Sequence, residues 1–121
     1  MTGFHAPQPD PRQNHLLAAL PAEESASLFP HLEMVPMPLG ESVCEPGMPM
    51  RHVYFPTDCI VSLLYVMEDG ASAEIAVVGN EGIVGISVFM GGETTTSRAV
   101  VQSAGHAYRL KGQLLKDAFY H

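Results

Sequence analysis

Cations are scarce in this chain. Six Lys and Arg stand against thirteen Asp and Glu, for a formal net charge of −7 with His neutral. Affinity for nucleic acid comes largely from basic groups that displace counterions from phosphate. Here those groups are scattered rather than gathered in a stripe, so direct DNA binding by this chain is not expected. Long apolar runs are missing too. None approaches the ~20 residues that cross a bilayer, and the opening MTGFHAPQPDPRQNH lacks the apolar core and cleavage site of a secretory signal. The expected setting is cytoplasmic, with no membrane partner. Cys44 and Cys59, the only two cysteines, are too few for a disulfide framework or a four-thiolate iron–sulfur cluster. Both are expected to be reduced and to serve as small apolar core residues. The six histidines, His5, His15, His31, His52, His106 and His121, never stand at His-x-His or His-x-x-x-His spacing. A metal-dependent, cupin-like jelly-roll enzyme needs clustered histidines and an acid. Nucleophile-elbow, Walker and Cys-x-x-Cys motifs are likewise missing. The sequence therefore points away from an enzyme: no catalytic residue, no metal ligand and no required cofactor is expected.

What the 121 residues do have is enough apolar content, 46%, for one modest core. Residues 1–13 carry three prolines and read as a flexible N-terminal arm; residues 14–121 read as the folded domain. Asn14 is placed to cap a helix over His15–Leu20. Pro21, followed by Glu23 and Glu24, opens a second helix that Pro30 ends. From Leu32 the texture changes to short apolar runs divided by Gly, Pro, Asp and Asn: LEMVPMPL, ESVCEPG, RHVYFP, CIVSLLYVM, ASAEIAVVG, SRAVVQSAG and HAYRL. About eight strands at intervals of roughly ten residues predict a mainly β fold, an antiparallel β-roll or jelly-roll barrel. KGQLLKDAFYH closes the chain, with Leu114, Leu115, Ala118 and Phe119 at helical spacing. The methionines Met34, Met37, Met48, Met50, Met67 and Met90 are expected to fill irregular space in the barrel.

The most specific stretch is GNEGIVGISVFMGGETTTSRAVVQSAGHAYRL, from Gly79 to Leu110. A strand runs into a glycine-rich turn, then a short apolar segment, a polar loop, and Arg98 opening the next strand. That order resembles the phosphate-binding cassette of the cyclic-nucleotide-binding domain superfamily, and the preceding PLGESVCEPGMPMRHVYFPTDCIVSLLYVMEDG resembles the first half of its barrel. The resemblance covers residues 14 to 121, and its nearest branch is the Crp/Fnr-type bacterial transcription regulators. It implies that Gly85, Ile86 and Ser87 occupy the helix-start positions of the cassette, and that Ser97, Arg98 and Ala99 surround the phosphate arginine. Glycines let backbone approach an anion, a helix N-terminus attracts negative charge, and an arginine pairs with phosphate oxygens.

The resemblance also exposes a departure. Nucleotide-binding members place a glutamate after the glycine to hold the ribose 2′-hydroxyl, where this chain has Ile86. Leaving such a hydroxyl unpaired costs ~1–3 kcal/mol, so cyclic nucleotides are expected to bind weakly or not at all. A small anionic or nucleotide-like effector remains the expected class of ligand. Arg98 is expected either to meet an anion or to pair with Glu93 or Glu81. The expected function is the effector-sensing domain of a Crp/Fnr-type regulator. Its dimerisation helix and helix-turn-helix domain would lie beyond His121, and a full-length protein would be a homodimer. The alternatives are a stand-alone small-molecule-binding module and the cupin-like enzyme.

Overall fold

The structure is a computed structural model, and it describes residues 10–85 and 97–119. Asp10 accepts from the Arg12 amide and caps a 3-10 turn at Pro11–Gln13, and the Arg12 guanidinium lies 5.1 Å over the Phe29 ring. The end of the expected arm is thus a capped turn; residues 1–9 lie outside the described residues. Helix α1 (His15–Ala18) and helix α2 (Ala22–Leu28) follow, the latter running into a 3-10 turn at Phe29–His31 that contains Pro30. Asn14 caps α1 as expected, its side-chain oxygen accepting from the Leu16 and Leu17 amides at 3.0 and 3.2 Å.

Seven strands come next: β1 (Glu33–Met37), β2 (Ser42–Cys44), β3 (His52–Pro56), β4 (Ile60–Val66), β5 (Ser72–Val78), β6 (Ser97–Ser103) and β7 (Gly105–Lys111). Helix α3 (Gly112–Phe119) closes the domain. The strands form two antiparallel sheets, ordered β1-β7-β3 and β2-β6-β4-β5. Val84 adds an isolated bridge to Tyr54. Each segment delimited in the sequence by turn residues becomes a strand; alternation gives most of them a face to bury, whereas β5, at the edge of its sheet, is almost wholly exposed.

The alternation builds two cores. Met37, Cys44, Cys59, Val61, Val84, Ala99, Val101 and Ala107 meet between the sheets. On the other side of the three-stranded sheet, Val53, Phe55, Tyr108 and Leu110 face the helices and pack on Leu17, Leu28 and Leu115. Adjacent residues of β7 therefore serve different cores, Ala107 inward and Tyr108 toward the helices. Both cysteines are free and buried in the inter-sheet core. Burial pushes the Cys59 thiol up to about 11 and raises that of Cys44, which keeps both protonated at neutral pH. The methionines divide. Met37 is 4% exposed, but Met34, Met48 and Met67 are 42%, 59% and 43% exposed, so these three do not fill the barrel; Met90 lies outside the described residues.

Asn14 is fully buried. Its amide nitrogen donates to the Pro56 carbonyl at 2.9 Å and the Gly82 carbonyl at 2.8 Å, while its oxygen caps α1. Removing the amide takes away its hydrogen bonds to one buried and one half-buried carbonyl and uncaps the helix. Asn14→Ala is therefore predicted to cost about 2–4 kcal/mol, read from urea denaturation. Asn14→Asp retains the cap acceptor but turns an oxygen toward two carbonyls, and should be nearly as damaging. A loss below about 0.5 kcal/mol in both variants, the range of neutral surface changes, would contradict the role given to this side chain.

Candidate functional site

The residues expected to form a site lie where β5 leads into the Gly79–Gly85 turn and where β6 begins. Glu81 folds back onto this turn, its Oε1 accepting from the Gly79 amide at 3.0 Å. The His15 amide donates to the Asn80 carbonyl at 2.7 Å, and Gly82 is gripped by Asn14. Tyr54 and Val84 exchange backbone hydrogen bonds of 3.0 and 2.8 Å. The turn is thus pinned by α1 on one side and β3 on the other.

Gly85 emerges from this clamp with φ of +101°, and a Cβ there would come within 2.9 Å of Met50 Cε. The backbone angle favours glycine, while the end of the Met50 side chain is free to give way. The helix start expected at Gly85 involves the residues that follow it, 86–96, which lie outside the described residues. Ile86 and Ser87 lie outside the described residues.

On β6 the strand period decides which side chains see the interior. Ala99 and Val101 are 2% exposed and belong to the inter-sheet core. Pairing with β4 is regular from Tyr65↔Ser97 through Ser62↔Val100, so Ser97 shares their face and Arg98 takes the opposite, outer face. The resemblance to the phosphate-binding cassette implies an Arg98 turned inward, toward Gly85; the strand turns it outward instead, because residues adjacent on a regular strand point to opposite sides.

On the outer face Arg98 meets a carboxylate, with Nε donating to Glu45 Oε1 at 2.9 Å. The partner is Glu45, not Glu81, which is turned to Gly79; Glu93 lies outside the described residues. Glu45 follows β2, whose Cys44 is registered with Ala99. Cys44 turns inward with Ala99, so Glu45 emerges beside Arg98. The Ser42 hydroxyl donates to the other Glu45 oxygen. The charge of Arg98 is therefore matched within the chain.

Glu45 also lines a depression whose Met50 lies against Gly85. A cleft of about 320 Å³ is lined by Cys44, Glu45, Met48, Met50, His52 and Tyr54, among others. Met50 touches the Gly85 position from this cleft, while Glu45 reaches Arg98 from its other wall. Among the described residues, no three His, Cys, Asp or Glu side chains gather as a metal cluster. None of the described helices is long and apolar enough to cross a membrane.

Comparison with known proteins agrees with this architecture. The family model described as "Cyclic nucleotide-binding domain" matches residues 34–120, and the chain belongs to that family. The N-terminal domain of a transcriptional regulator from Streptomyces coelicolor A3(2) is similar at 25% identity and a TM-score of 0.72, over 91% of this chain and 77% of that one. The sensor domain of the transcriptional regulator DNR from Pseudomonas aeruginosa superposes with a TM-score of 0.76 at 14% identity, over 90% and 73% of the two chains. The regulatory domain of Toxoplasma gondii PKA, solved with cAMP, gives 0.76 at 13% identity over 88% of this chain and 45% of that one. The latter two likenesses concern the fold alone. No curated protein sequence matches the chain.

The Ser42 hydrogen bond, chiefly, holds the Glu45 carboxyl below its ordinary value of 4.5; desolvation opposes it, and the hydrogen bond and charge of Arg98 add smaller lowering effects. A carboxyl with a depressed folded-state pKa favours folding above its unfolded value and loses that advantage as pH falls through the folded value. Glu45→Gln is therefore predicted to lower the urea midpoint near neutral pH, with the deficit closing in acid well below 4.5. An equal deficit at both pH values would show that the carboxylate charge contributes nothing.

Proposed function

We propose that this chain is the effector-sensing domain of a Crp/Fnr-type transcription regulator whose effector is not a cyclic nucleotide. Membership of the cyclic nucleotide-binding family supports the sensing role, and the likeness to an N-terminal regulator domain supports the transcriptional setting. The observation that carries the proposal is the outward-facing Arg98, already paired with Glu45 at 2.9 Å. A cyclic phosphate inside the barrel would find a backbone turn there but not this guanidinium. Ile86, next to Gly85, offers no acceptor to a ribose hydroxyl.

In this reading Gly85, Ile86, Ser87, Ser97 and Ala99 border a small-molecule effector, and Arg98 holds the barrel wall. The domain acts in the cytoplasm without its own DNA contact. Its effector biases a two-state helix beyond α3, which positions a DNA-binding domain of a dimeric protein. A ligand shifts such an equilibrium only by its differential affinity for the two states. The family supplies binding rather than catalysis, so no reaction is assigned.

Calorimetry with cyclic AMP and cyclic GMP tests the proposal. Dissociation constants weaker than about 1 mM, or roughly −4 kcal/mol, are expected for the natural chain. Ile86→Glu alone should not bring binding into the micromolar range, because the phosphate still lacks its arginine. Micromolar affinity in the natural chain would overturn the exclusion of cyclic nucleotides.

A further inference from the structure

Between β2 and β3 the chain reads Cys44-Glu45-Pro46-Gly47-Met48-Pro49-Met50-Arg51-His52. A thiol, two thioethers and an imidazole thus recur along one short loop, and all four side chains line the same cleft of about 320 Å³. The loop's geometry explains how they meet. The Met48 amide donates to the Glu45 carbonyl at 3.1 Å, closing a turn with Pro46 and Gly47 at its centre. Gly47 has φ of +79°, as the third position of a type II turn requires. The chain reverses immediately after Cys44, and the turn sets Met48 opposite Glu45 on the rim of the cleft that Cys44 also lines. Cys44 belongs to the inter-sheet core and Met50 packs against that core, whereas Met48 is 59% exposed at the rim. Core packing therefore accounts for Cys44 and Met50 but not for Met48.

We infer that this cleft is a binding site for a soft monovalent metal ion, Cu(I) in chemical class, with sulfur ligands from Cys44, Met48 and Met50. The His52 imidazole on the same wall is available as a further donor. Thiolate and thioether donors select Cu(I) over harder ions. The harder donor sets typical of zinc, built from Cys, His and carboxylate, do not assemble among the described residues. Binding replaces the Cys44 S–H bond by a sulfur–metal bond and releases one proton to solvent. The ion arrives as Cu(I), and no electron is transferred. Met50 Sδ lies 3.1 Å from where a Gly85 Cβ would stand, so an ion held by Met50 would press on the turn that opens the effector site. Metal occupancy and effector binding are thereby coupled through one side chain.

Anaerobic competition against a chromogenic Cu(I) chelator, on the full chain, tests the inference. One Cu(I) per chain is expected. Outer-shell partners of a metal already contribute about 10–100-fold in affinity, so Met48→Leu with Met50→Leu should weaken binding by roughly tenfold or more, and Cys44→Ser should abolish it. Cys59→Ser removes the thiol that does not line the cleft and should leave the affinity unchanged. Urea midpoints of each variant separate loss of the site from loss of the fold. Unaltered Cu(I) affinity in the folded double methionine variant, or its loss in the folded Cys59→Ser variant, would overturn the assignment.

Discussion

The side-chain amide of Asn14 ties together three parts of the chain that are distant in sequence. Its oxygen caps α1 and its nitrogen spans the Pro56 carbonyl at the end of β3 and the Gly82 carbonyl in the turn after β5. Buried polar groups must be paired, and leaving one unpaired costs more than the bond itself contributes. That asymmetry makes the three-way contact restrictive: the helix, the strand end and the turn have to sit where one amide can satisfy all of them. The hydrogen bond from the His15 amide to Asn80 extends the same grip. The turn so held delivers Gly85 against Met50, so the position of the candidate site is set from the helical side of the domain.

A second constraint, the two-residue period of a strand, distributes roles along β6. Ala99 and Val101 close the inter-sheet core, and Arg98, the residue before Ala99, has to face out. A guanidinium at the rim with a carboxylate across from it is a wall element. Pairs this exposed contribute little to stability individually; the effect here is to fix which way the arginine points.

Much of the barrel was legible in the sequence because its signals are local. Asn14 followed by an apolar helical run, Pro21 with acids behind it, and apolar runs ending at Gly40, Gly47 and Gly70 each announce a boundary within a few residues. The orientation of Arg98 was not legible, since it depends on β6 pairing with β4 and β2, contacts distant in sequence. Its partner was misread for the same reason. Glu45 is 53 residues away along the chain, while Glu81 and Glu93 are nearer in sequence. The second half of Asn14's role was hidden as well: capping is local, but bonds to Pro56 and Gly82 emerge only once the sheets have closed. Exposed Met48 is the residue that a composition-based reading of methionine as core filler explains least.

The pairing of Arg98 with Glu45, away from the interior, is the claim on which the exclusion of cyclic nucleotides turns. The ¹⁵N–¹H correlation of the Arg98 Nε–Hε group reports it directly. The expected cross-peak is observable near neutral pH, shifts on Glu45→Gln, and stays in place at saturating cyclic AMP. A cross-peak indifferent to Glu45→Gln but displaced by cyclic AMP would mean that the arginine turns inward to phosphate, and would contradict the outward assignment.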